Sequence, residues 1–257
     1  MLEQARLERS RNLLEQIPTT IREATHDLTG ARALIYFILF HPEGDTKEKQ
    51  MNLLREKADP MVLRELETLL PELSELPPTM RLPLLDLCLP ALRQLAPEQW
   101  SRFRENIGAL RQAGEAVSLF DFCVEKVIFR QLERHFSKPK IRFPLFFRTD
   151  DLSKEISLLL SALCHQGDKD PQKAFMGAMS QNNEFGRLLR LYPKEECGIE
   201  EISQVIDTIA KAAPRIRQQI LESCVFAVAI DQQIAPGERQ LLRAVAEAFA
   251  LPTPSIL

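Results

Sequence analysis

Apolar residues recur along most of this chain at intervals of three and four, the period of a helix buried on one side. Read with its breakers, the pattern predicts helices near 2–16, 18–26, 30–41, 46–57, 59–73, 78–94, 97–112, 118–136, 151–165, 171–181, 199–211, 214–230 and 236–249. Thr29, Ser118 and Asp150 or Asp151 are placed to accept from orphan N–H groups at helix starts, and Pro18, Pro97, Pro171 and Pro236 suit first turns. No stretch alternates convincingly as a strand. The fold class that follows is all-α.

The apolar pattern also repeats. LETLLPELSELPPTMRLPLLDLCLPAL (66–92) aligns without a gap on ISQVIDTIAKAAPRIRQQILESCVFAV (202–228). Pro78 meets Pro214, Arg81 meets Arg217, Asp86 meets Glu222, Cys88 meets Cys224, and six apolar positions coincide. LAPEQ (95–99) then resembles IAPGE (234–238), with Asp231 to Gln233 extra in the second copy. Upstream, ALIYFILFHPEGD (33–45) resembles SLLLSALCHQGD (157–168), each an apolar helix ending in His before a Gly-Asp turn. The organisation expected is two tandem helical bundles from an internal duplication. A helical lead covers 1–28, the first bundle 29–136, a basic and aromatic linker 137–150, and the second bundle 151–257.

Composition narrows the function classes. Among 257 residues, 33 Lys and Arg stand against 36 Asp and Glu, so no global charge draws the chain to nucleic acid. Nine glycines argue against a Gly-rich phosphate loop. Five cysteines, with no Cys-x-x-Cys pair, fit reduced thiols in the cytosol better than a disulfide framework. The longest apolar run, Ala33 to Phe40, is far short of the roughly 20 residues that span a bilayer. The N-terminus is amphipathic and mixed in charge, unlike a signal peptide.

The chain contains no HExxH, no G-x-S-x-G and no Walker-type Gly-Lys-Ser/Thr, and its histidines and cysteines form no recognisable nucleophile–base set. Asp231 and Glu238 flank the turn between the last two helices. They could share a divalent cation, or simply punctuate two helix ends. His41 and His165 each follow the last turn of an apolar helix, where a histidine meets orphan carbonyls. Cys88 and Cys224 read as buried small hydrophobes. The stretch RQLERHFSKPKIRFPLFFR (130–148) carries six bases, one Glu and four phenylalanines. It is either a plain linker whose phenylalanines pack, or a surface that touches anionic lipid through Arg134, Lys138, Lys140, Arg142 and Arg148.

IPTTIREATHDLTGARALIYFILF (17–40), LPLLDLCLPALRQLAPEQWSRFR (82–104) and AVSLFDFCVEKVIFRQLERHF (116–136) together resemble the soluble C-terminal region of bacterial membrane zinc metallopeptidases of the CAAX-prenyl-protease-like family. The closing pattern Asp-x-x-Ile-Ala-x-x-Glu, at Asp231 and Glu238, resembles the TerB-like helical fold, with Gln232 where that fold carries Gly. The first resemblance implies a non-catalytic, regulatory or partner-binding region on the cytoplasmic side of the inner membrane. Its partner would be the membrane-embedded peptidase domain of the same parent chain. Zinc would belong to that upstream domain, leaving no cofactor here. The second resemblance implies the alternative, a free-standing stress-response protein that senses a divalent cation through Asp231 and Glu238.

Overall fold

The computed structural model describes residues 16–41, 44–114, 118–136, 143–167, 170–180, 189–230 and 234–254; the side chain of Arg134 lies outside this description. The first predicted helix, 2–16, falls outside it too. Among the described residues the fold is all-helical. Helices α1 (Thr19–His26), α2 (Leu28–Ile38), α3 (Asp45–Lys57), α4 (Pro60–Glu75), α5 (Arg81–Leu92) and α6 (Pro97–Gln112) are followed by α7 (Leu119–Phe136). Then come α8 (Ser153–Cys164), α9 (Pro171–Ser180), α10 (Ile199–Ile209), α11 (Pro214–Ala229) and α12 (Pro236–Phe249). The chain divides into two units, Met1–Val117 with Leu132–Ser137, and Ser118–Gln131 with Lys138–Leu257. The boundary therefore falls inside α7.

Helix starts follow local chemistry with three corrections, the first being that Pro18 stands at the N-cap of α1, just before its first turn. Ser118 Oγ accepts from the Asp121 N–H at 3.1 Å, the cap its position predicts. Thr29 is not a cap. α2 begins two residues earlier, and Asp27 accepts from the Thr29 and Gly30 N–H groups at 2.9 Å each. Gly30 and Ala31 are buried, so the helix is carried inward past Thr29. Asp150 and Asp151 do not cap α8 either; they form a short 3-10 turn, Asp150–Leu152, that drives Leu152 into the core. Pro97, Pro171, Pro214 and Pro236 all occupy first helical positions, where a missing N–H costs nothing.

In the first unit α2 is buried all round, from Gly30 to Ile38. It packs against α1, α4, α5 and α6. The 1–28 lead is therefore in part a packed element, since α1 also contacts α4 and α5. A Cβ on Gly30 would stand 2.5 Å from the Ala24 carbonyl oxygen, so α1 and α2 meet this closely only because residue 30 is glycine. Arg32, also buried, donates to the Leu28 carbonyl and lies 3.5 Å from the Asp59 carboxylate. Asn106 donates to the Tyr36 hydroxyl at 2.9 Å, and the Tyr36 ring lies 5.4 Å from Phe103. At the end of α2, buried Gln50 accepts from the His41 N–H at 2.8 Å and donates to the carbonyls of Leu39 and Leu110 at 3.1 and 3.0 Å. One amide thereby joins α2, α3 and α6.

In the second unit α8 is buried from Ile156 to Cys164 and packs against α9, α10, α11 and α12. Its polar residues sit at i, i+4 and i+8. Ser157 Oγ accepts from the Arg190 N–H at 3.2 Å, Ser161 Oγ accepts from the Tyr192 N–H at 2.9 Å, and His165 Nε2 donates to the Tyr192 carbonyl at 2.9 Å. Four residues of helix rise about 6 Å and two residues of extended chain about 6.6 Å, so the two spacings nearly match. This ladder clamps residues 190–192 along the helix.

Candidate functional site

A concavity in the second unit begins with α11. Gln218, Leu221, Glu222, Val225 and Phe226 follow one another at i, i+3, i+4, i+7 and i+8, a single stripe along that helix. The opposite wall is Leu251, Pro252 and Pro254. The chain reaches that wall by a sharp reversal at Ala250, whose φ of 59° puts a non-glycine residue in the left-handed region. The Leu251 N–H bonds back to the Ala246 carbonyl at 3.0 Å, and Arg217 donates to the Phe249 carbonyl at 2.5 Å. Pro252 and Pro254 have no N–H to satisfy, so this wall needs no ladder partner.

The result is a groove of about 410 Å³. Its floor and tail wall are apolar. Its polar edge is Glu222, exposed, with Oε1 accepting from Gln218 Nε2 at 3.0 Å. Phe226 remains 46% exposed despite lining it. Such a surface suits an apolar segment that places a basic residue opposite Glu222. The sequence contained one signal of it. Phe226 aligns with Pro90 in the gapless alignment of 66–92 on 202–228, so the two stretches differ at the groove.

The residues singled out from sequence are distributed otherwise. Asp231, Lys138, Lys140 and Arg142 lie outside the described residues, as does the side chain of Arg134. Glu238 is 1% exposed at the start of α12. Its Oε2 accepts from the Ala235 N–H at 2.9 Å, and Gly167 packs so closely that a Cβ there would stand 2.5 Å from Oε1. Gln99 performs the same closure on the Ala96 N–H at 2.9 Å at the start of α6. Among the described residues no three His, Cys, Asp or Glu side chains gather as a metal-ligand set. His165 holds the Tyr192 carbonyl from the C-cap of α8.

Burial pushes the thiols of Cys88, Cys123 and Cys224 well above their ordinary range. Cys197, half-buried, is pushed up to about 11 by desolvation, helped by Glu196, Glu195 and Glu201. None of these four environments favours a thiolate nucleophile.

Arg148 is exposed and pairs with Asp150 at 2.9 Å. The neighbouring phenylalanines do not pack as a buried linker would require. Phe143 is 81% exposed and Phe147 67%, while Phe146 is half-buried. No helix of the described residues is long and apolar enough to cross a membrane. Comparison of the chain with protein-family models, curated proteins and solved structures finds no match in any of the three.

Proposed function

We propose that this chain is a non-catalytic helical docking module whose second unit receives a partner segment in the groove between α11 and residues 251–254. The observation that carries the reading is the apolar stripe of α11, Leu221, Val225 and Phe226, facing a proline-braced wall with Glu222 at its rim. The finer reading rests on the family resemblance. In it the two units are TerB-like bundles from one duplication, within the cytoplasmic region of a membrane zinc peptidase. The partner segment then belongs to the membrane-embedded peptidase domain of the same parent, on the cytoplasmic side of the inner membrane. The parallel placement of α2 and α8, each buried among the helices that the sequence repeat pairs, supports the duplication.

Three measurements test this. The reading frame upstream of this chain should encode HExxH and apolar spans of about 20 residues. Expressed separately, that upstream part should co-purify with this chain, and Val225→Asp or Phe226→Asp should weaken the complex at least about tenfold. An upstream frame without HExxH removes the peptidase parentage. Stoichiometric zinc with chelator-sensitive casein cleavage by the isolated chain removes the non-catalytic reading.

A further inference from the structure

We infer that the segment received by the groove on α11 is an amphipathic α-helix carrying a basic residue, not an extended peptide. The inference rests on the docking reading above and names the class of segment that docks. The groove side of α11 consists of two parallel rows of side chains at intervals of four. The outer row is Gln218, Glu222, Phe226 and Ile230, all exposed. The inner row is Leu221, Val225 and Ala229, buried or half-buried. Ile230 is the C-cap of the helix and keeps its register, with φ −60° and ψ −26°. Its side chain lies against Gly177 of α9, where a Cβ would stand 2.4 Å from Ile230 Cδ1, and the row ends there. From Gln218 to Ile230 the rows run about 18 Å, at about 1.5 Å per residue. The furrow between two such rows receives the i±4 or i±3 ridge of a second helix.

Backbone hydrogen bonding separates a helix from a strand here. A strand adds to an edge through the free N–H and C=O groups of alternate residues. The backbone of α11 is bonded within the helix, and the Leu251 N–H is taken by the Ala246 carbonyl at 3.0 Å. Pro252 and Pro254 have no N–H to offer. An extended peptide would lay its own amides against apolar walls, and each unpaired one would cost about what its hydrogen bond to water was worth. A helix arrives with those bonds already made. Polyproline segments dock on aromatic-lined grooves, and Phe226 is the single aromatic among these lining residues. Charge then sets the polarity of the incoming helix. Glu222 is the one charged residue lining the groove, and its partner among the described residues is Gln218. The matching helix carries apolar side chains at i and i+4 against Phe226 and Ile230, and a Lys or Arg one turn beyond them against Glu222. A second copy of α11 does not meet this need, because its own outer row holds no base.

Selection of a displayed library of random peptides, about four helical turns long, on the full chain tests the assignment. The peptides to keep are those that bind wild type and lose at least about tenfold on Phe226→Asp. They should share apolar residues at i and i+4 with Lys or Arg one turn beyond, in either chain direction. Synthetic copies should gain helical circular dichroism on binding. Glu222→Gln should weaken them about threefold and flatten their salt dependence. Glu222→Lys should turn the selection toward peptides with Asp or Glu at the same place. Phe226 and Glu222 are both exposed, so these variants should keep the wild-type circular dichroism and thermal midpoint. Phe226-dependent peptides that alternate apolar and polar residues, or that are rich in proline, would overturn the helix assignment and leave the docking reading standing. Unchanged selection on Glu222→Lys would overturn the basic residue. A library that yields no Phe226-dependent peptide would overturn both readings. Self-association of the chain in sedimentation, abolished by Phe226→Asp, would reassign the groove to a second copy.

Discussion

α2 and α8 are the buried central helices of the two units, and they solve the same problem in opposite ways. Each must end inside the protein, beside a histidine, with polar backbone nearby to satisfy. The end of α2, Phe37 to Phe40, is wholly apolar and borrows its polar groups. Gln50 reaches in from α3 and satisfies the His41 N–H and two carbonyls at once. α8 carries its own polar groups, Ser157, Ser161 and His165, and uses them to hold an extended segment against its side. At the aligned positions α2 has Ala33, Phe37 and then His41, so it has no rungs for such a ladder. The lesson is that a sequence repeat preserves where a central helix lies, not how its end is satisfied. Substitutions should therefore separate the units, each damaging one and sparing the other.

The largest effect is expected at Gln50. Gln50→Leu fits the volume but strands three backbone groups, two of them buried, and should destabilise the first unit by about 3 kcal/mol. Urea unfolding followed by hydrogen exchange should place the loss in α2, α3 and α6, with α8 unaffected.

Tyr36 gives a pH test of nearly the same size. Burial, opposed in part by the Asn106 hydrogen bond, pushes its hydroxyl up from 10.0 to about 12. The unfolded tyrosine ionises first, so the contribution is intact below about pH 10 and is lost as pH climbs toward 12. Two units correspond to about 2.7 kcal/mol. The buried thiols, also raised, begin to cost stability from their ordinary range near 9.0 upward. The difference between wild type and Tyr36→Phe isolates the tyrosine: the alkaline decline should be shallower in the variant. Identical pH profiles would refute a buried neutral hydroxyl.

In the second unit Ser161→Ala removes the middle rung and leaves the buried Tyr192 N–H without its acceptor, for a loss of about 2 kcal/mol. Amide exchange at Tyr192 and Arg190 should accelerate together while α2 keeps its protection. If only Tyr192 responds, the rungs act singly and the ladder is not cooperative.

The smallest effect sharpens the likeness between the units. Glu238 closes the start of α12 as Gln99 closes the start of α6. Glu238→Gln keeps an acceptor for the Ala235 N–H, and thermal melts should shift by less than the equivalent of about 0.5 kcal/mol. Glu238→Ala should cost about 1 kcal/mol. A calcium, magnesium, manganese or zinc titration that shows tight binding in wild type and none in Glu238→Gln would instead favour the cation-sensing alternative.

The sequence alone determined the helices and much of their termini. Pro97–Gln112 and Pro236–Phe249 begin and end where pattern and proline place them, because periodicity and the missing proline N–H are local properties. The buried thiols of Cys88 and Cys224 were also legible, since both sit on the apolar face of their helices. What tertiary structure decided is everything that depends on a partner far along the chain. Asp27 displaces Thr29 as the cap of α2 because packing against Ala24 draws Gly30 inward. The rungs of α8 have no meaning until residues 190–192 lie beside them, about 30 positions away. The groove exists only where Ala250 turns the chain back along α11. In the segment 143–148 composition named phenylalanines and bases, but composition does not say which side chains find a core. The Lys211–Ala213 loop takes up the backbone of that segment at Leu145 and Phe146, and Phe143, Leu145 and Phe147 are left exposed.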